Sequence, residues 1–192
     1  MKHITIFLCS FISTVRAQAV FNPKNVASSY NGTSSFPVDL SALYNNRGLA
    51  VKPNDASFDG HGSGYPADSP LPTDFMYNGI NFTFPTYKTS GNDNVLAFGQ
   101  RIQVPRGRYI SVQMMASCEK GLASGFINAT YSDNSTSSSP VLVPAWWSWP
   151  YPAGGDIIFP YYFTNDTIDY NRSMVYQTIN RIDSTKEQVS LT

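Results

Sequence analysis

Two stretches of the chain hold residues whose types and spacing can do chemistry. The first is SFDGHGSGYP at 57–66, where Asp59 and His61 sit two residues apart among three glycines. An imidazole near a carboxylate is the material of a general base or a metal ligand. A serine nucleophile would need a strand-to-helix elbow, and GSG at 62–64 lacks the G-x-S-x-G spacing. Asp55 and Asp59 are hard oxygen donors of the kind calcium takes, but DASFDG departs from an EF-hand loop. Asp beside Gly more often bonds its own backbone in a turn. No cofactor is assigned, and calcium is held as the weaker alternative to a plain glycine-rich corner with an exposed, replaceable His61.

The second stretch is PAWWSWPYPAGGD at 144–156, which places all three tryptophans within four positions. Planar aromatics on a loop can stack on the apolar faces of sugar rings; the alternative is packing within or across a core. Two-residue alternation sends Trp147 and Trp149 to one face and Trp146 to the other, so only a subset can be core together. Trp146, Trp147, Trp149 and Tyr151 are the candidate carbohydrate-binding residues. Glycoside hydrolysis would need two carboxyl groups facing each other across a bond. Most acids here lie beside Gly, Asn, Pro or Ser, where Asp is routine turn chemistry, and no pair stands out. No catalytic residue is assigned, and the chain reads as non-catalytic by itself.

The elements that must position these residues are strands. No window holds a 3.6-residue apolar period, while short alternating runs recur between Gly, Pro and Asn. The clearest are GINFTFP at 79–85, RYISVQMMA at 108–116, GFINATY at 125–131 and SMVYQTIN at 173–180. Shorter candidates are 39–43, 94–98, 141–143 and 188–192. In GINFTFP the apolar Ile80, Phe82 and Phe84 share a face opposite Asn81 and Thr83; in GFINATY Ile127, Ala129 and Tyr131 oppose Asn128. SDNSTSSSP at 132–140 reads as a polar hairpin loop. Many short strands with one-sided alternation predict an antiparallel β-sandwich, jelly-roll or immunoglobulin-like. QVSLT stops at Thr192 without a turn or polar tail, so it reads as a closing edge strand or as the cut end of a longer protein, and the fragment is preferred.

Composition narrows the classes. Charged residues are 14%, the net charge is zero and aromatics also reach 14%. Such a chain lacks the positive field that nucleic acid or an anionic membrane demands. The N-terminus has a short basic start, the apolar run ITIFLCSFI, and small residues at cleavage spacing. This predicts a signal peptide over 1–17, with cleavage after Ala19 as an equal option and a buried N-terminal strand as the alternative. Six N-x-S/T sequons, Asn31, Asn81, Asn128, Asn134, Asn165 and Asn171, agree with secretion; chance would give roughly three. Removal of the leader takes Cys9 away, so Cys118 has no intrachain partner. The expected plan is a leader, an extended lead-in over 18–37 and a sandwich over 38–192.

ASFDG-x-G-x-GYPAD-x-x-LP, GINFTFP, DNVLAFGQRIQVP and RYISVQMMA, in that order, resemble a β-sandwich module of secreted fungal and actinobacterial proteins. Those proteins are named as α-mannosidase-, α-fucosidase- or rhamnosidase-like glycoside hydrolases. Their pattern is similar to x-x-FDG-x-G-x-SY-x-AE, then DNV-x-A-x-GQ and a TY-x-DGT hairpin, whose place TYSDNST at 130–136 takes here. The resemblance runs from about residue 39 to the end. Gly64 stands where Ser is usual and Asp68 where Glu is usual, and His61 falls at a freely varying position. The motifs are turns and strands and carry over no catalytic residue. The resemblance implies a secreted accessory or carbohydrate-binding module of a fungal-type glycoside hydrolase, whose partners are a glycan or polysaccharide and a covalently linked catalytic domain. Two alternatives stand beside it: a hydrolase fragment contributing to an active site, and a structural cell-wall or surface protein that binds no sugar.

Overall fold

The computed structural model describes residues 2–7, 18–19, 29–30, 33–68, 74–147 and 157–192. Ten strands build its two principal sheets: β1 (Lys2–Phe7), β2 (Ser29–Tyr30), β3 (Thr33–Pro37), β4 (Ile102–Gly107), β5 (Ser111–Ala116), β6 (Leu122–Tyr131), β7 (Thr136–Pro144), β8 (Ile157–Phe159), β9 (Ser173–Arg181) and β10 (Gln188–Leu191). One sheet has the order β8-β9-β5-β1-β3-β2 and the other β4-β10-β6-β7. Val112, Met114 and Phe159 of the first share one apolar core with Ile127, Val141 and Leu191 of the second. The fold is a β-sandwich, as the alternation predicts. Within these two sheets the pairings are antiparallel except where β1 lies parallel to both β5 and β3.

Alternation accounts for β6, where Ile127, Ala129 and Tyr131 are buried and Phe126 and Asn128 are exposed. It fails for β5, where all six residues are buried. That strand is central in its sheet and covered on both faces, so its polar members are satisfied inside: Gln177 donates to Gln113 Oε1 at 2.7 Å. A hairpin of Asp74–Tyr77 and Ile80–Thr83 ties to this sheet, with Asn78 reaching Gln177 of β9 at 2.7 Å. Its turn residues Asn78 and Gly79 have φ of 49° and 75°, the signature of a tight primed turn.

Several expectations are corrected. Residues 39–43 form no strand; Asp39 accepts the Ser41 N–H at 2.7 Å and a 3₁₀ turn follows over Ser41–Leu43. The polar loop after Tyr131 is only a four-residue turn, because pairing with β6 continues through Ser137, Ser138 and Ser139. The Tyr131 and Ser137 hydroxyls meet at 2.5 Å across this turn. The unpredicted β4 carries Pro105 and lies at a sheet edge, where a missing N–H costs no ladder bond. Strand β10 is interior, between β4 and β6, and is no closing edge. Beside these corrections, residues 2–7 and 33–37 supply β1 and β3 to the six-stranded sheet.

Residues 45–65 and 93–96 form a corner, joined where the Asn45 and Asn46 N–H groups bond the Asn94 carbonyl at 3.0 and 3.2 Å. Leu49–Ala50 and Tyr65–Pro66 pair briefly in parallel. Beneath them Phe58, Tyr65, Trp146 and Phe159 pack as an aromatic cluster, with ring centroids from 4.7 to 6.1 Å apart. The Tyr65 hydroxyl bonds the Met174 carbonyl at 3.0 Å and Ser117 at 2.7 Å, which anchors the corner to β9 and to the segment just after β5.

Candidate functional site

The glycine-rich loop is built by Asp59. Its carboxylate is buried and accepts the N–H groups of His61 at 2.9 Å and Ser63 at 3.0 Å. Ser57 adds a hydroxyl that accepts the Gly62 N–H at 2.9 Å, and Phe58 N–H closes on Ser63 O at 2.8 Å. Gly60 and Gly62 have φ of 80° and 87°, which side chains other than glycine rarely adopt. Asp59 is thus the turn residue that its glycine neighbours suggest.

The loop turns His61 outward, with 71% of its side chain exposed. Its Nε2 lies 2.8 Å from Glu119 Oε1. The Glu119 carbonyl accepts the Trp147 indole N–H at 2.9 Å, so a single residue joins the imidazole to the indole. From the other side Asn165 Nδ2 donates to the His61 carbonyl at 3.1 Å. A depression of about 580 Å³ opens here, lined by Arg47, Asn54, Asp55, Ser57, His61 and Asn165 among others.

Charges in this depression are met from within. Arg47 pairs with Asp55 at 2.6 Å, and Asp55 also accepts from the Tyr87 hydroxyl at 2.9 Å and from Val51 N–H at 3.0 Å. The bond to Asp55 holds the Tyr87 phenol above its ordinary pKa. Behind this layer Asp93 is buried and accepts the Gly48 and Leu49 N–H groups at 2.7 and 3.1 Å. Burial raises its carboxyl to about 6 against those two bonds.

What the arrangement can do chemically follows from these partners. His61 meets a carboxylate, and Ser57 is engaged by Gly62, so no nucleophile–base contact forms among the described residues. Cys118 is fully buried and burial pushes its thiol up, which leaves it a packing residue. Asp55 and Asp59, the carboxylates considered for calcium, are taken by their own neighbours. Among the described residues no group of three His, Cys, Asp or Glu is placed to hold a metal ion.

The predicted aromatic residues separate. Trp146 is 4% exposed and stands edge-on to Phe58 at 4.9 Å and Tyr162 at 4.5 Å, so it packs the core and offers no face to a ligand. Trp147 is half exposed and held by Glu119. This in-and-out placement is the one that alternation assigns to neighbouring positions. Trp149 and Tyr151 lie outside the described residues. Of the sequons, Asn128, Asn134, Asn165 and Asn171 are exposed, Asn81 is partly buried and Asn31 lies outside the described residues.

Arg47, Glu119 and Asn165 were not read as site residues from sequence. Sequence offers Asn165 only as a sequon, and Glu119 meets His61 across 58 positions, a distance no local motif records.

An aromatic-cored, two-sheet fold with its polar site on loops defines a β-sandwich domain. Residues 33–186 match the family model of the AziU2-like β-sandwich domain, and the chain belongs to that family. No curated protein matches the chain. The match establishes the sandwich module that the motifs imply; association with a glycoside hydrolase is a separate question.

Proposed function

We propose that the protein is a secreted, N-glycosylated accessory sandwich that binds a neutral glycan or polysaccharide and is not catalytic by itself. The observation that carries this is Trp147, a half-exposed indole whose N–H bonds the carbonyl of Glu119, the residue whose carboxylate meets His61 on the lining of the depression. An aromatic face beside amide, hydroxyl and carboxylate groups suits a ring with one apolar face and many hydroxyls. Internal pairing of Arg47 with Asp55 and of His61 with Glu119 favours an uncharged ligand over an anion or cation. The motif order supports association with a glycoside hydrolase, through a linked catalytic domain. Secretion is supported by the leader-like start and by four sequons on the surface. Release of that leader withdraws β1 from between β5 and β3, and the secreted chain then begins at Gln18 or Val20.

The test is retention on insoluble chitin, cellulose, β-glucan and mannan. The parent is expected to bind at least one, and Trp147→Ala to lose most of that retention with an unchanged melting temperature. A parent retained by none of them ends the binding reading, and hydrolysis of aryl glycosides by the isolated chain ends the non-catalytic one.

A further inference from the structure

One sequon borders the depression. Asn165, followed two residues on by Thr167, sits at the tip of the hairpin between Tyr162–Phe163 and Ile168–Asp169. It is exposed, lines the depression and donates its amide to the His61 carbonyl at 3.1 Å. Its side-chain amide also fills the place a Cβ on Gly62 would take. The turn itself is held by other groups: Thr164 N–H bonds Thr167 O at 2.9 Å, and the Thr164 hydroxyl accepts the Thr167 N–H at 3.1 Å. Asn128 and Asn134, on the β6–β7 hairpin, and Asn171 line no part of the depression.

We infer that Asn165 carries an N-glycan that stands in the mouth of the depression and limits access to it. This rests on the secretory reading above, and it adds a control on the binding site. The donor is an oligosaccharide linked through diphosphate to a lipid. Nδ2 forms a bond to the anomeric carbon, the C–O bond to the diphosphate breaks with its electron pair, and one amide hydrogen leaves as a proton. The product is a secondary amide that stays trans, so the sugar carbon emerges on the Oδ1 side. Oδ1 lies against Gly62, which lines the depression. Attachment therefore covers the site, while the Thr164–Thr167 bonds that hold the turn stay in place.

The experiment compares the parent, Thr167→Ala, Thr167→Ser and the distant Thr130→Ala, all secreted from a glycosylating eukaryotic host. Peptide masses before and after endoglycosidase treatment read occupancy at Asn165. The rate at which diethylpyrocarbonate modifies His61 reads access to the mouth without any ligand, and retention on the polysaccharides above reads binding. The parent, Thr167→Ser and Thr130→Ala are expected to be occupied at Asn165 and slow at His61. Thr167→Ala should be unoccupied, modified severalfold faster and retained severalfold more. An unoccupied Asn165 in the parent overturns the inference, and so does an equal His61 rate with and without the glycan. Different His61 rates with no retention of any form would uphold the covering glycan and end the glycan-binding reading instead.

Discussion

The β6–β7 hairpin and the corner around Asp59 are ordered by opposite means. In the hairpin, cross-strand pairing runs unbroken from Leu122 opposite Pro144 to Thr130 opposite Thr136, and alternation decides which side chains are inside. Its surface is cheap: Leu122, Phe126 and Leu142 are all more than half exposed. In the corner, short bridges leave many backbone N–H groups without a ladder, and these donors find acceptors elsewhere. Carboxylates supply them: Asp93 takes Gly48 and Leu49, Asp59 takes His61 and Ser63, and Asp55 takes Val51. The hairpin should therefore tolerate polar changes and fail by losing volume, whereas the corner should fail by losing acceptors.

The largest effect is expected from volume in the hairpin. Tyr131 is 1% exposed, its ring fills the core, and its hydroxyl accepts the Asp183 N–H at 2.9 Å. Tyr131→Ala should cost roughly 3–5 kcal/mol in urea denaturation, while Phe126→Ser on the exposed face should change stability by less than about 0.5 kcal/mol. Equal costs for the two would sink the inside–outside account of the hairpin.

Loss of an acceptor in the corner comes next. Asp93→Ala orphans two buried N–H groups and should cost about 2–4 kcal/mol, although it removes little apolar surface. Asp93 also gives the corner a pH signature. Its folded pKa of about 6 stands above the ordinary 3.8, so the folded state holds the proton more tightly than the unfolded chain. Stability from this group is complete below about pH 4 and is lost as pH rises through about 6, by up to about 3 kcal/mol. Asp93→Asn keeps an acceptor and should flatten that slope between pH 4 and 7. A slope that survives in Asp93→Asn assigns the titration to another group.

The same contrast explains what was legible in the sequence. Strands such as GINFTFP and GFINATY announce themselves because a two-residue period is a local property, and the buried Phe82 and Ile127 fall where it puts them. The both-face burial of β5 was hidden, since Gln113 and Ser111 look like a solvent face until another layer covers them. The glycine-rich loop was readable as a turn because Asp59 bonds residues only two and four positions away. Its functional setting was not readable, because Glu119, Trp147 and Asn165 arrive from 58, 86 and 104 positions beyond His61 by way of the sandwich. Of the aromatic stretch, alternation foresaw that Trp146 and Trp147 part company, and packing decided which one is buried.

A backbone change inside the corner should have an intermediate effect. Gly62 adopts φ of 87°, and a Cβ there would collide with the Asn165 amide. Gly62→Ala should cost about 1–2 kcal/mol from the left-handed backbone and should also push Asn165 away from the His61 carbonyl. Faster amide hydrogen exchange around 164–167 would report that displacement. Unchanged exchange there would show that Asn165 is not held by this contact.

The smallest stability effect is expected at Glu119, and it is the one that separates site from scaffold. Its partner His61 is mostly exposed, and a pair of that kind contributes less than about 1 kcal/mol. Glu119→Gln keeps a side-chain oxygen for the imidazole N–H, and the bond to Trp147 uses the Glu119 backbone carbonyl, so the indole stays pinned. The melting temperature should therefore hardly move, whereas retention on the bound polysaccharide should fall severalfold because His61, which lines the depression, loses its carboxylate partner. A stability loss as large as that of Asp93→Ala would place Glu119 among the carboxylates that hold the backbone, and the corner would then contain scaffold only.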